Sequence, residues 1–178
     1  MLSKMKEKNV AMELLKRLLK EKIKKTKRQN VVQSEKFSDM LNDALNQYLK
    51  GMLTNEEVIK ELIELAKKMK EEEKAGERLG LNEQEKAFYD ALSKPSVVAG
   101  LYTDEQFINF AKELTEVLRI NCTIDWRHKE AGKAQMRVLI KRQLKKHGYP
   151  PEGKQEALDY VMAQCDSWAD NEDNITED

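Results

Sequence analysis

Apolar residues recur along this chain every three or four positions, which is the spacing of one face of an α-helix. The most regular run begins at residue 107 and consists of Phe107, Phe110, Ala111, Leu114, Val117 and Leu118. No segment alternates apolar and polar residues for long enough to predict a β-strand. We therefore predict an all-α fold, an irregular bundle of about seven helices that allows two packed halves.

Capping residues mark several of the predicted helix ends. A Ser, Thr or Asn followed three residues later by Glu or Gln can satisfy free backbone N–H groups at a helix start. The sequence contains this box at Thr54 with Glu57, at Asn82 with Glu85, and at Thr103 with Gln106. We also expect Ser34 to cap the second helix and Gly51 to end it, because glycine tolerates the left-handed conformation found there.

A polar stretch with two glycines, "KEEEKAGERLG", is the best candidate for an internal boundary. It predicts N-terminal helices over residues 1–75 and a C-terminal helical portion over residues 76–170. The alternative is that the same stretch continues as a solvated helix. Residues 171–178 are acidic and polar, and we expect them to be a disordered tail.

Charge is balanced in total but not along the chain. The sequence has 32 basic and 32 acidic residues, so the total does not point to nucleic acid or membrane as a partner. Residues 1–30 have eleven Lys and Arg against three Glu, a net charge of +8, and residues 119–147 have nine against two, a net charge of +7. Residues 152–178 have one Lys against nine acids, a net charge of −8. The basic segments could attract anionic partners, whereas the acidic end would repel them.

The most specific segment is "TIDWRHKEAGKAQMRVLIKRQLKKHGYPP", residues 123–151. Asp125 is predicted to cap a helix that runs from about residue 127 to 147. Trp126 is expected to anchor that helix in the bundle. Gly148 supplies the C-terminal cap, and Pro150 with Pro151 turns the chain into the last helix.

The predicted helix within this segment has apolar residues on two nearly opposite sides. Ala131, Ala134 and Val138 lie on one side, and Met136, Ile140 and Leu144 lie on the other. Such a helix is expected to have partners on both sides. Candidate contacts to a partner or to phosphate are the basic residues Lys133, Arg137, Lys141, Arg142 and Lys145. They are also compatible with a plain bundle helix that has soluble borders.

Residues for catalysis or cofactor binding are not clustered in the sequence. There is no phosphate-binding glycine loop or HExxH motif, and neither His128 nor His147 has a partner at ligand spacing. Cys122 and Cys165 belong to no CxxC motif, so we expect two small core residues in a reducing compartment rather than a zinc site. The absence of these motifs predicts no cofactor. Because no apolar run nears about 18 residues and the N-terminus lacks a signal peptide, we expect no membrane partner and a cytoplasmic location.

Several segments resemble the C-terminal region of the R subunit of type I restriction enzymes. They are "KNVAMELLKRLLKEKIK", "VVQSEKFSDMLNDAL", "VIKELIELAKKM", "LNEQEKAFYDAL", and "TIDW" followed by "VLIKRQLKKHGYPP". The resemblance covers about residues 9–168, in the order of the family. It implies a parent subunit with a nuclease domain and ATP-dependent DNA motor domains, none of whose motifs is present here.

The resemblance also implies a role for this region. In the family it is associated with assembly onto the methyltransferase and specificity subunits, and it supplies no catalytic residue to place in this chain. We therefore expect a non-catalytic assembly domain from a longer subunit. The alternative is a basic module that contacts the backbone of duplex DNA during translocation.

Overall fold

The structure, a computed structural model, describes residues 2–122 and 125–175. Within these ranges it contains α1 (Leu2–Gln29), α2 (Val31–Leu49), α3 (Asn55–Leu79), α4 (Glu83–Ser93), α5 (Asp104–Asn121), α6 (Glu130–Lys146) and α7 (Pro151–Ile175). Two short 3-10 helices occupy Ser96–Val98 and Trp126–His128. No strand occurs in the described ranges, and the prediction of an all-α fold is confirmed.

The chain forms two compact units. Unit 1 comprises Met1–Lys27 and Gln33–Ala75, and unit 2 comprises Arg28–Val32 and Gly76–Asp178. The boundary between them lies inside α3, because the polar stretch at residues 70–80 continues this helix as far as Leu79.

Helix α7 continues to Ile175, so residues 171–175, which we expected to be disordered, are helical. No Gly or Pro interrupts α7 after Gly153, and so nothing in its sequence ends the helix earlier. Residues 176–178 lie outside the described ranges.

Unit 1 is held together by an apolar core between α1, α2 and α3. Its fully buried centre is formed by Val58 and Leu62 of α3, which expose none of their surface. The buried cluster consists of Met12, Leu19, Ile23, Phe37, Leu41, Ala44, Val58, Leu62, Leu65 and Met69. Burial of each large side chain of this kind stabilises the fold by about 1.5–3 kcal/mol before the cost of ordering the chain.

Local caps fix several helix ends as predicted. The capping boxes at Thr54 with Glu57, Asn82 with Glu85, and Thr103 with Gln106 are all present. Gly51 follows α2 with a φ of 72°, so the expected left-handed cap is also confirmed. These ends could be predicted because the groups that satisfy them lie within three or four residues of the helix end.

The predicted cap at Ser34 is wrong. Helix α2 begins at Val31, and the Ser34 hydroxyl donates a hydrogen bond to the carbonyl of Ile23 at 3.2 Å. Only Asn30 separates α1 from α2. The first backbone N–H group of α2 finds its acceptor far along the chain, since Val31 donates to the side-chain oxygen of Gln164 at 2.9 Å.

Unit 2 is built around α4, α5, α6 and α7. Helix α4 packs against α5 and α7, and α6 packs against both α5 and α7. The buried cluster includes Phe88, Leu92, Val98, Phe110, Leu114, Leu118, Trp126, Met136, Ile140, Leu144, Tyr149, Ala157, Val161 and Cys165. None of the described helices combines the length and the apolar character that a membrane crossing requires.

A buried polar network in unit 2 holds the junction between α1 and α2. Gln164, only 1% exposed, donates from Nε2 to the carbonyl of Gln29 at 3.0 Å as well as accepting from Val31. Asn30 donates to Asp90 Oδ2 at 2.7 Å. The Asp90 carboxylate also binds the Lys86 ammonium, with oxygen–nitrogen distances of 2.5 and 2.6 Å. Polar side chains from α4 and α7 thus replace the local caps that this junction lacks.

Candidate interaction surface

Helix α6 buries one side and exposes the other. Met136, Ile140 and Leu144 are at most 2% exposed and form part of the unit 2 core. The opposite side exposes four of the five predicted contact residues, which we call the basic face: Arg137, Lys141, Arg142 and Lys145. Lys133 lies at the edge of this face, half-buried, with its ammonium 3.6 Å from Glu130.

Only one of the two apolar sides of α6 is covered within the described chain. Ala131, Ala134 and Val138 lie on the same side as the basic face and are exposed, Val138 to 53%. The apolar periodicity identified this second side correctly, but periodicity does not say whether the partner belongs to the same chain. The outward side of α6 therefore combines small apolar residues with cations.

The cations of the basic face have no acidic partners among the described residues. Elsewhere many lysines and arginines are paired, for example Lys22 with Glu73 at 3.1 Å and Arg119 with Glu116 at 2.7 Å. Arg137, Lys141, Arg142 and Lys145 form no such pair within residues 2–122 and 125–175. Their positive charge is available to an anionic surface, since no neighbouring carboxylate neutralises it.

The N-terminal end of α6 is positioned by the 3-10 helix Trp126–His128. Trp126 is 3% exposed, and Gly132 lies directly against its backbone. A Cβ atom on Gly132 would lie 2.5 Å from the carbonyl oxygen and 2.7 Å from the Cα of Trp126, so only glycine fits there. Sequence analysis missed Gly132, because a glycine inside a helix does not reveal which backbone it approaches.

The predicted helix cap at Asp125 is wrong. Its side chain makes no capping hydrogen bond, and its carboxylate lies 3.8 Å from the Lys129 ammonium on the surface. The predicted single helix from residue 127 is instead a 3-10 turn followed by α6, which begins at Glu130. Lys129 occupies the position before α6 and gives no side-chain cap. The close contact between Gly132 and Trp126 accounts for this break, because the turn folds back onto the first turn of α6.

The C-terminal end of α6 is closed by a Schellman motif. Gly148 has a φ of 67°, the left-handed conformation that glycine adopts without strain. Its N–H donates to the carbonyl of Lys145 at 3.1 Å, and the N–H of Tyr149 donates to the carbonyl of Leu144 at 2.9 Å. Tyr149 is 2% exposed and its hydroxyl donates to the carbonyl of Leu92, which ties this end of α6 to α4.

The two prolines that follow carry the chain into α7. Pro150 is half-buried, and its carbonyl accepts a hydrogen bond from the N–H of Gly153 at 3.1 Å. Pro151 is the first residue of α7, a position where the missing proline N–H costs nothing. Gly153 is buried, and a Cβ atom there would lie 2.8 Å from a methyl group of Val97.

Helix α5 supports the same end of α6 through Glu113. The Glu113 carboxylate binds the Lys146 ammonium and lies 2.9 Å from Nε2 of His147, whose ring stacks on Phe110 with centroids 4.1 Å apart. The hydrogen bond from Lys146 is the largest cause that lowers the pKa of Glu113 below its ordinary value of 4.5, and His147 contributes in the same direction. Burial opposes this effect but does not outweigh it.

The pKa of Glu113 predicts an acid-dependent loss of stability. A carboxyl group whose pKa is lowered by folding stabilises the native state above its unfolded pKa, and this contribution disappears as pH falls through the folded value. We therefore expect Glu113→Gln to lose stability relative to the parent chain at pH 6 but to match it more closely at pH 3. Urea unfolding at several pH values measures the difference. Glu116→Gln, on the exposed side of α5, is the control, and an equal pH dependence in both variants would contradict the assignment.

Metal-binding clusters do not occur among the residues that the structure describes. No group of three or more His, Cys, Asp or Glu there could hold a metal ion. Cys165 is buried in the unit 2 core, and burial raises the pKa of its thiol. The expectation that both cysteines are core residues is wrong for Cys122, which is exposed at the C-terminal end of α5.

Comparison with known families decides where this domain belongs. The family model described as "Type I restriction enzyme HindI endonuclease subunit-like, C-terminal" matches residues 1–171 of the 178. The chain belongs to this family. The resemblance to the C-terminal region of type I restriction R subunits is thereby confirmed.

Two relatives of this type I restriction domain are curated proteins. The type I restriction enzyme HindI endonuclease subunit of Haemophilus influenzae is 41% identical over 119 residues, which cover 67% of this chain and 11% of that subunit. A Methanocaldococcus jannaschii protein, named as a type I restriction enzyme MjaIXP endonuclease subunit, is 34% identical over 100 residues, 54% of this chain and 9% of that protein. The chain thus corresponds to a small part of each relative. No solved structure matches it.

Proposed function

We propose that this chain is a non-catalytic assembly domain that docks a type I restriction endonuclease subunit onto the methyltransferase and specificity subunits. The observation that carries the proposal is the outward side of α6, where unpaired cations border exposed apolar residues. The family supplies the context, because an endonuclease subunit works within a complex of several subunits.

A protein partner suits the composition of this side of α6. Ala131, Ala134 and Val138 allow another surface to approach the helix closely and exclude water between the cations. Arg137 and Arg142 can bind carboxylates with two parallel hydrogen bonds, while the stems of Lys141 and Lys145 cover apolar surface. An acidic surface with small apolar contacts is the partner that this combination fits best.

The rigidity of α6 supports the same proposal. Gly132 fits against Trp126 at one end, and Gly148, Tyr149 and Glu113 fix the other end. A surface held in place before binding loses little conformational entropy when it docks, so more of the contact energy appears as affinity.

Charge reversal on the basic face tests the docking proposal. We expect the triple variant Arg137→Glu, Lys141→Glu and Lys145→Glu to bind the purified methyltransferase–specificity complex at least about 100-fold more weakly, since it replaces attraction with repulsion. Binding is measured by size exclusion and by calorimetry. The control variant Lys60→Glu, Lys68→Glu and Lys70→Glu changes the same net charge at exposed positions of α3. Equal affinities of the two triple variants would contradict the proposal.

A second candidate function is contact with the backbone of duplex DNA, favoured by the lack of acidic partners around the basic face. Lys and Arg can bind phosphates without reading base sequence. If all four cations contact phosphates, the logarithm of the binding constant should fall with the logarithm of salt concentration with a slope of about −3.6. Fluorescence anisotropy of a labelled duplex measures this slope. The docking proposal predicts no saturable duplex binding near physiological salt, and a slope of that size there would favour DNA instead.

A further inference from the structure

Helix α1 has a second apolar side that the unit 1 core does not use. Met12, Leu19 and Ile23 are buried in that core, at 8% exposure or less. Val10, Leu14 and Leu18 lie on the opposite side of the helix and are 65%, 56% and 53% exposed. We call these three residues the α1 stripe. Three large apolar residues in line on a solvent-facing helix indicate a binding site rather than the scattered exposure that is normal on a surface.

We propose that the α1 stripe is a docking surface for an acidic amphipathic helix of another polypeptide. The three residues are spaced every four positions and form one ridge about 12 Å long. Ridges of this type pack into the groove between side-chain rows of a second helix. A partner helix with apolar residues on one face would therefore cover the stripe and remove it from water.

Charge specifies the partner further. Lys6, Arg17 and Lys24 lie along one edge of the stripe at 100° per residue, and Lys25 follows its C-terminal end. Lys6, Lys24 and Lys25 form no ion pair with any residue that the structure describes. Arg17 lies 3.5 Å from Glu21. A partner with Glu or Asp beside its apolar face would neutralise the free cations, whereas a basic helix would be repelled.

The same charges disfavour other occupants. A second copy would bring together two segments that each have eleven basic residues against three acidic ones over residues 1–30. A membrane surface is a poor match, because α1 contains no aromatic residue and Glu7 and Glu21 extend the line of the stripe at its ends. Nucleic acid would leave the apolar centre of the surface without a partner.

Two synthetic helices test the proposal on the 178-residue chain. Both are about 18 residues long with leucines on one face, and one has glutamates and the other lysines beside the leucines. We expect the glutamate peptide to bind with saturation and the lysine peptide to bind at least about tenfold more weakly. Fluorescence anisotropy measures both affinities at low and moderate salt.

Variants locate the binding on the stripe. Leu14→Ser with Leu18→Ser should weaken binding of the glutamate peptide by at least about tenfold, and these exposed positions leave the core intact. Ile120→Ser, a 71% exposed position on α5 outside both proposed surfaces, is the matched control and should bind normally. No saturable binding, equal binding of both peptides, or equal loss in the control would overturn the proposal. A dimer that the double variant converts to monomer would overturn it in favour of self-association, and stripe-dependent binding to anionic vesicles in favour of a lipid surface.

The α1 stripe and the basic face of α6 can fail independently. The stripe lies in unit 1 and the basic face in unit 2, and their variants share no residue. If the α1 double variant binds the glutamate peptide normally while the α6 triple variant loses binding to the methyltransferase–specificity complex, only the stripe proposal fails. If the α6 triple variant binds the methyltransferase–specificity complex normally while the α1 double variant loses binding to the glutamate peptide, only the proposed docking surface fails.

Discussion

Replacing Asp90 by alanine is expected to lower the free energy of unfolding of the domain by about 3–5 kcal/mol. The substitution leaves the Lys86 ammonium without the carboxylate that lies 2.5 Å from it. The side chains of Lys86 and Asp90 are only 11% and 8% exposed, so water cannot replace the lost partner well. Asn30 loses the acceptor that fixes the junction of α1 and α2. Urea unfolding followed by circular dichroism measures the effect.

A second substitution separates the buried charge from the other contacts of Asp90. Adding Lys86→Met to Asp90→Ala removes the ammonium that has lost the Asp90 carboxylate, while keeping an apolar side chain of similar length. We expect the double variant to be more stable than Asp90→Ala alone, because a buried ammonium that has lost this carboxylate causes most of the loss. If the double variant is less stable than the single one, the ion pair is not the main contribution of Asp90.

The substitution Gly132→Ala is expected to destabilise the domain by about 3 kcal/mol, at the upper end of the usual cost of overpacking. The added Cβ would lie 2.5 Å from the carbonyl oxygen of Trp126, and backbone atoms cannot move aside as a flexible side chain can. Alanine favours a helix more than glycine does, so intrinsic helix propensity alone predicts that Gly132→Ala stabilises the domain. Chemical unfolding and the fluorescence of Trp126 report both the loss of stability and the displaced turn.

Gly148→Ala is the matched control for Gly132→Ala. Gly148 has a φ of 67° and no atom near its potential Cβ, so alanine there brings only backbone strain. We expect a smaller cost of about 1 kcal/mol and an unchanged environment of Trp126. A Gly132→Ala variant as stable as the parent chain would show that the close contact at Trp126 does not determine how α6 is placed.

The sequence predicted helices well where their ends are satisfied locally. The boxes at Thr54, Asn82 and Thr103 and the left-handed glycine at Gly51 all depend on groups a few residues away. The prediction of a helix cap failed at Ser34, because the distant Gln164 supplies the acceptor for the first N–H of α2. No periodicity in a single sequence indicates that a glutamine of α7 satisfies the ends of α1 and α2.

The candidate surface was predicted in part. Spacing placed Arg137, Lys141 and Lys145 on one border of α6, and the structure exposes them together with Arg142. Spacing also predicted a second covered side around Val138, which is exposed in the described chain. The missing information is the partner itself, because an apolar face that contacts another subunit has the same pattern as one that contacts the core. The turn at Trp126 and Gly132 was unpredictable for a related reason, since it depends on the distance between two backbone segments.

Differential lysine labelling tests docking through the basic face most directly. The chain is treated with an amine-acetylating reagent alone and with the purified methyltransferase–specificity complex, and mass spectrometry compares the modification of each lysine. We predict strong protection of Lys141 and Lys145 in the complex, with unchanged labelling of Lys60 and Lys68, which are exposed on α3. Equal labelling of Lys141 and Lys145 in the free and the bound chain, while binding is saturated, would contradict docking through this surface.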